Sequence, residues 1–156
     1  MAEVVAKPRA QRHETARLRR RRDDVWIAAT ALIAAMLALP FAQSTWHGPE
    51  VAAVLAVAAT ALLAGQRWAI AVIVVAQLLL MPTVWPRAFL DDGGMLMARF
   101  AALATLFAIV PGVLSMKRAA AALVLITNRP RTRQIVRRVH MGLVLSGLIA
   151  TLLPLL

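Results

Sequence analysis

The feature that most constrains this chain is a series of long apolar runs separated by short segments rich in charge, proline or glycine. Each run approaches the roughly 17–25 residues that a helix needs to cross the hydrocarbon core of a bilayer. Because 61% of the residues are hydrophobic, a water-soluble fold of this length has too little polar surface to cover them. The sequence therefore predicts an all-α integral membrane protein, a bundle of five transmembrane helices, at 25–42, 50–64, 68–85, 95–116 and 139–156.

The chain divides into a basic N-terminal arm, residues 1–24, and a transmembrane domain, residues 25–156. Alone, the arm is expected to be disordered or at most a nascent helix on lipid headgroups. Asp23 or Asp24 is then expected to cap the first transmembrane helix. The apolar stretch 119–127 is too short to span and predicts an interfacial or re-entrant helix.

Prolines and glycines mark the expected ends and bends of these helices. Pro82 and Pro86 are expected to end the third transmembrane helix, because proline removes a backbone donor and clashes with the preceding turn. Pro111 and Gly112 predict a kink in the fourth helix. The last helix is expected to start near Thr132.

The charge distribution predicts the orientation in the membrane. The chain has 18 Lys and Arg against 7 Asp and Glu, and the basic residues concentrate in the arm, at Arg67 and in 117–138. With five spans these segments fall on one side, and only Arg87 and Arg99 fall on the other. Basic residues accumulate on the cytoplasmic side, so we predict a multi-pass protein of a bacterial inner (cytoplasmic) membrane, with the N-terminus inside and the C-terminus outside.

The two basic clusters are candidates for binding anionic lipid headgroups or an acidic partner surface. Nucleic acid is not an expected partner, because both clusters adjoin membrane helices and neither is interleaved with aromatic residues that stack on bases. The candidate docking residues are Arg19, Arg20, Arg21, Arg22, Lys117, Arg118, Arg129, Arg131, Arg133, Arg137 and Arg138.

Small residues four apart are candidates for close helix packing, either within the bundle or against another subunit. Two pairs have this spacing, Ala52 with Ala56 and Gly142 with Ser146. A third candidate is a polar pathway for an ion or solute, which would be lined by Arg99, Asp91, Asp92 and Gln77.

His140 is the candidate for a cofactor ligand, because membrane haem b proteins take axial ligands from helices. The other histidines, His13 and His47, belong to the arm and to an external loop. A haem at His140 would therefore need a partner chain or a methionine ligand such as Met116 or Met141. No other cofactor and no metal site is expected.

Catalytic signals are missing from the sequence, which favours a non-enzymatic protein. There is no cysteine, no nucleophile elbow, no HExxH motif and no phosphate-binding glycine loop. The favoured hypothesis is a small accessory or assembly subunit of a larger inner-membrane complex, in contact with lipids and other membrane subunits. The alternatives are a homo-oligomeric small-solute channel or transporter, and a haem- or quinone-binding anchor subunit that uses His140.

Overall fold

The computed structural model describes residues 9–42, 48–90, 96–127, 130 and 132–155. Within these ranges the chain forms helices and turns and no strand, which confirms the predicted all-α class. The elements are α1 (Arg9–Ala42), α2 (Gly48–Leu63), α3 (Ala69–Phe89), α4 (Leu96–Leu114), α5 (Met116–Ile126), α6 (Arg133–Leu152) and a terminal 3-10 turn (Leu153–Leu155).

Three helical segments are long and apolar enough to cross a membrane. They are Ala69–Phe89, Leu96–Leu114 and Arg133–Leu155, and Pro49–Leu63 is a shorter apolar helix. A membrane location is therefore plausible for this chain, as the apolar runs predict.

The bundle is organised around α3, which contacts each of the other five helices. Its side chains Ile73, Val74 and Gln77 are completely buried. The α1 helix packs against α2 and α4 through an alanine-rich side, on which Ala31 and Ala34 are also fully buried. Alanine lets helix backbones approach closely, so this side of the bundle is compact without large side chains.

The α1 helix begins at Arg9 and runs without a break into the apolar segment. The prediction of a cap at Asp23 or Asp24 is therefore wrong, because both aspartates lie inside the helix. Extending an existing helix avoids the cost of nucleating a new one. The packed apolar part of α1 thus supports a helical extension that the arm would not form by itself.

The third and fourth helices also end at different points from those expected. The α3 helix continues through Pro82 and Pro86 to Phe89, and membrane helices tolerate such prolines when local adjustments satisfy the freed backbone groups. The α4 helix ends at Leu114, and a turn at Ser115 leads directly into α5. That turn is closed by a bond from the Ser115 backbone N–H to the Gly112 carbonyl, 2.9 Å long.

The connection between α2 and α3 is a tight turn at Gly65. Gly65 has a φ of 88°, a region that L-residues with a side chain rarely occupy. Its N–H bonds to the Leu62 carbonyl, and the Gln66 N–H bonds to the Ala61 carbonyl. This pair of bonds is the Schellman arrangement that ends many helices, and it folds α3 back along α2.

Candidate functional site

The arginines of the N-terminal arm form one exposed basic surface. Arg19, Arg20, Arg21 and Arg22 are all exposed on the polar part of α1. Helical spacing turns successive residues by about 100°, so four adjacent arginines point to different sides of α1. They give the arm a diffuse positive surface rather than a single binding site.

An ion pair joins this arm to the second basic cluster. The Arg118 guanidinium at the start of α5 contacts the Asp24 carboxylate of α1, and both side chains are partly exposed. Lys117 beside it is exposed. The pair brings the beginning of the apolar part of α1 and the α4–α5 junction to the same end of the bundle.

A second basic site lies at the start of α6. The Thr132 hydroxyl caps this helix by accepting a hydrogen bond from the Ile135 N–H, and Arg133, Arg137 and Arg138 are exposed on its first turns. Arg129 and Arg131 of the same cluster lie outside the described residues.

An open cavity of about 370 Å³ lies on this basic end of α6. It is lined by Gln134, Arg137, Arg138 and Met141. The cavity therefore combines two guanidinium groups and an amide with one apolar wall. The sequence indicated Arg137 and Arg138 as docking residues and Met141 only as a possible haem ligand. It gave no signal for Gln134, because the lining of the cavity depends on which side of α6 stays open.

The two pairs of small residues have different environments. Ala52 is buried in the core and Ala56 is partly buried against it. Gly142 and Ser146 lie on the exposed part of α6, and a Cβ at Gly142 would have no atom within 4 Å. The first pair therefore contributes to packing within the bundle, whereas the second pair faces away from the described core.

Gln77 is buried in the centre of the bundle directly against Gly112. Within the described part of the chain, neither amide atom of Gln77 has a hydrogen-bond partner. Its Oε1 occupies the space that a Cβ on Gly112 would take. The missing side chain of Gly112 thus makes room for the Gln77 amide between α3 and α4.

Two other buried hydroxyls, on α4 and on the turn that follows it, bond to carbonyls of α4. Thr105 Oγ1 donates to the Ala101 carbonyl at 2.7 Å, and Ser115 Oγ donates to the Gly112 carbonyl at 2.7 Å. Such bonds satisfy a hydroxyl within its own helix. The Gln77 amide, in contrast, has no hydrogen-bond partner among the described residues.

The candidate polar pathway is not assembled into one cluster by the described residues. Arg99 lies in the first turns of α4, where it is half-buried and interacts with other groups. Gln77 contacts Gly112, which is 13 residues further along that helix, or about 20 Å at 1.5 Å per residue. Asp91 and Asp92 lie outside the described residues.

His140 is half-buried on α6, and its Nδ1 has no hydrogen-bond partner in the described part of the chain. Met116, one candidate second ligand, packs against Gly147, about two turns from His140. Met141, the other, is 59% exposed. His13 and His47 have no described side chain.

The described residues include no group of three or more His, Cys, Asp or Glu side chains that could hold a metal ion. The fold and its candidate sites define an all-helical protein with three helices able to span a membrane and an arginine-rich surface. Comparison with protein families, with curated proteins and with solved structures found no match for this chain.

Proposed function

We propose that this chain is a small accessory or assembly subunit of a larger inner-membrane protein complex. It acts by helix packing, by lipid contact and through a basic cytoplasmic docking surface, without catalytic groups of its own. The observation that carries this proposal is the environment of α6. This helix is long and apolar enough to span a membrane, yet none of its residues is buried.

The proposed topology is a five-span bundle with the N-terminus inside and the C-terminus outside, in a bacterial inner membrane. Two contacts support the direction of α6. Gly147 lies beside Leu78, and Trp85 Nε1 donates a hydrogen bond to the Thr151 carbonyl at 2.9 Å. Residue numbers therefore increase in the same direction along α3 and α6, as expected for the third and fifth spans of such a bundle.

The basic segments support the same topology. The Arg118–Asp24 contact joins two of them at one end of the bundle, and the positive-inside bias favours the cytoplasmic side for that end. The α5 helix packs against α3 and α6 with Ala119, Ala120 and Val124 buried. This packing favours a re-entrant position for α5 over one flat on the membrane surface.

The candidate docking face for another subunit is the side of α6 that carries Gly142 and Ser146. Small residues spaced four apart let a second helix approach closely in lipid, where packing rather than the hydrophobic effect drives association. Ser146 already bonds to the Gly142 carbonyl at 2.9 Å, so this face presents no unsatisfied hydroxyl to a partner. Ala52, which is only 2% exposed, has no part in this face.

The test is purification of the tagged chain from its native membrane in a gentle detergent, followed by mass spectrometry and an absorption spectrum. Stoichiometric partner proteins are expected, and Gly142→Leu should release them. Ala104→Leu, which enlarges an exposed alanine on α4, is the matched control and should retain them.

Two results would replace the proposal. A colourless homo-oligomer without partners would favour the small-solute channel or transporter, which flux into liposomes would then test. A Soret band that disappears in His140→Ala would favour the haem-binding anchor.

A further inference from the structure

The α6 helix attaches to the bundle through one side only. Leu143 packs against the core, and Gly147 lies against Leu78 and Met116. Residues four apart lie on the same side of a helix, so this contact side is continuous. The opposite side of α6 meets no other described helix.

This outward side changes character along its length. Gln134, Arg138, Met141, Leu145 and Leu152 follow one another at intervals of four, three, four and seven residues, which keeps them on one side of the helix. All five are exposed. The side therefore begins with polar and cationic groups and continues as an apolar strip.

The cationic end is an open, shallow depression lined by charged and polar groups. The cavity of about 370 Å³ has the guanidinium groups of Arg137 and Arg138 on its wall together with the Gln134 amide. Neither guanidinium forms an ion pair with the residues that the structure describes. Guanidinium groups bind phosphate oxygens through two parallel hydrogen bonds, so the site suits a phosphate group.

The apolar strip indicates that the ligand continues beyond the phosphate as an apolar chain. Met141 forms a wall of the cavity, and Leu145 and Leu152 continue from it with exposures of 57% and 49%. From Met141 to Leu152 the strip extends 11 residues, or about 16 Å at 1.5 Å per residue. That length is close to half of a hydrocarbon core about 30 Å thick, which is the depth of one lipid leaflet.

We infer that the outward side of α6 is a binding site for one anionic phospholipid. The phosphate lies between Arg137 and Arg138, Gln134 donates a hydrogen bond to the headgroup, and an acyl chain lies along Met141, Leu145 and Leu152. An anionic headgroup is favoured because a zwitterionic one brings a cation next to two arginines. The inference deepens the lipid-contact part of the proposed function and rests on it.

The site is distinct from the face proposed for a protein partner. Gly142 and Ser146 are turned by about a quarter of a revolution from the line through Gln134 and Leu145, at 100° per residue. A lipid on one face and a helix on the other can therefore bind together. Loss of partner proteins in Gly142→Leu and loss of lipid in an arginine variant are separate outcomes.

The test uses the full chain purified in mild detergent, with bound lipid counted by native mass spectrometry. Dioleoylphosphatidylglycerol and dioleoylphosphatidylcholine compete at equal concentrations, so that only the headgroup differs. Attraction of about 1 kcal/mol for each basic residue near the lipid corresponds to a roughly 30-fold higher affinity when two arginines contribute. The expected preference for the anionic lipid is therefore about 30-fold, and Arg137→Gln with Arg138→Gln should abolish it.

The control removes the same charge elsewhere. Arg17→Gln with Arg67→Gln changes two exposed arginines that are not among the candidate docking residues and should keep the preference. A wild-type chain without preference would overturn the inference. An equal loss in both double variants would also overturn it, because the effect would then come from overall charge.

A further pair of measurements separates a lipid from free phosphate. Leu152→Asn should weaken binding of the dioleoyl lipid but leave binding of dihexanoylphosphatidylglycerol unchanged, because Leu152 lies about 16 Å beyond Met141 and the short chains do not reach it. Displacement of the dioleoyl lipid by millimolar inorganic phosphate, with no effect of Leu152→Asn, would identify a phosphate site and refute the lipid.

Discussion

The contact between Gln77 and Gly112 allows a quantitative prediction for Gly112→Ala. In an ordinary helix interior, replacing glycine by alanine stabilises by roughly 0.5–1 kcal/mol. Here the new Cβ would overlap Gln77 Oε1, and it would lie 2.6 Å from Cδ and 3.0 Å from Nε2. Gln77 is completely buried, so relieving the overlap requires displacing its side chain within a packed core.

Overpacking of this kind costs about 1–3 kcal/mol. After subtraction of the gain in helix propensity, we expect Gly112→Ala to lower the free energy of unfolding by about 1 kcal/mol, with an upper value near 2.5 kcal/mol. The same substitution in a Gln77→Ala background should be neutral or stabilising, because the overlapping amide is gone. The coupling energy of the double-mutant cycle should therefore equal the overpacking cost of about 1–3 kcal/mol.

The assay is SDS-induced unfolding in mixed micelles, followed by tryptophan fluorescence. Gly142→Ala is the matched control, since a Cβ there meets no atom within 4 Å, and it should cause no loss of stability. The reasoning would be refuted if Gly112→Ala were as stable as the wild type and its effect did not change with Gln77→Ala. Such a result would mean that the Gln77 side chain does not occupy the space beside Gly112.

Two further predictions concern the ends of helices. Asp24→Asn should change the free energy of unfolding by less than about 1 kcal/mol, the usual value for exposed ion pairs, because its partner Arg118 is 41% exposed. A loss above about 2 kcal/mol in the same SDS titration would show that the Asp24–Arg118 pair is not in contact with water. Gly65→Ala should lower the free energy of unfolding by about 1–2 kcal/mol because of the positive φ alone. Gly65→Asn should lower it less, since asparagine tolerates that conformation. Equal stability of the Gly65→Ala variant and the wild type would show that the turn does not need this backbone geometry.

The all-helical structure of the described residues followed from the apolar runs, because a backbone in hydrocarbon must satisfy its own hydrogen bonds. The boundaries were less predictable. Pro82 and Pro86 indicated the end of a helix, but α3, which is packed in the bundle, continues to Phe89. Asp24 indicated the start of a helix, but α1 already begins at Arg9. In both places the preference of proline or aspartate for a helix end was weaker than the effect of the adjoining packed helix.

The polar residues at membrane depth also differ in whether the local sequence or the packing between helices determines their environment. A buried threonine or serine satisfies its hydroxyl within its own helix, and Thr105 and Ser115 do so. The Gln77 amide forms no such bond among the described residues, and its contact is with Gly112 on the facing helix. The sequence identified Gln77 and Gly112 separately, but their contact requires the register between α3 and α4.

The sequence by itself determined the helical class, the apolar segments and the arginine clusters, because composition and spacing along one chain are sufficient for these properties. Only the tertiary structure decided which residues share a surface. Ala52 and Gly142 have the same motif spacing, yet one is buried and the other faces outward, because α2 is packed within the bundle while α6 is attached along one side. The cavity at Arg137 and Arg138 exists for the same reason, since packing between helices, not residue type, determines which side of a helix remains open.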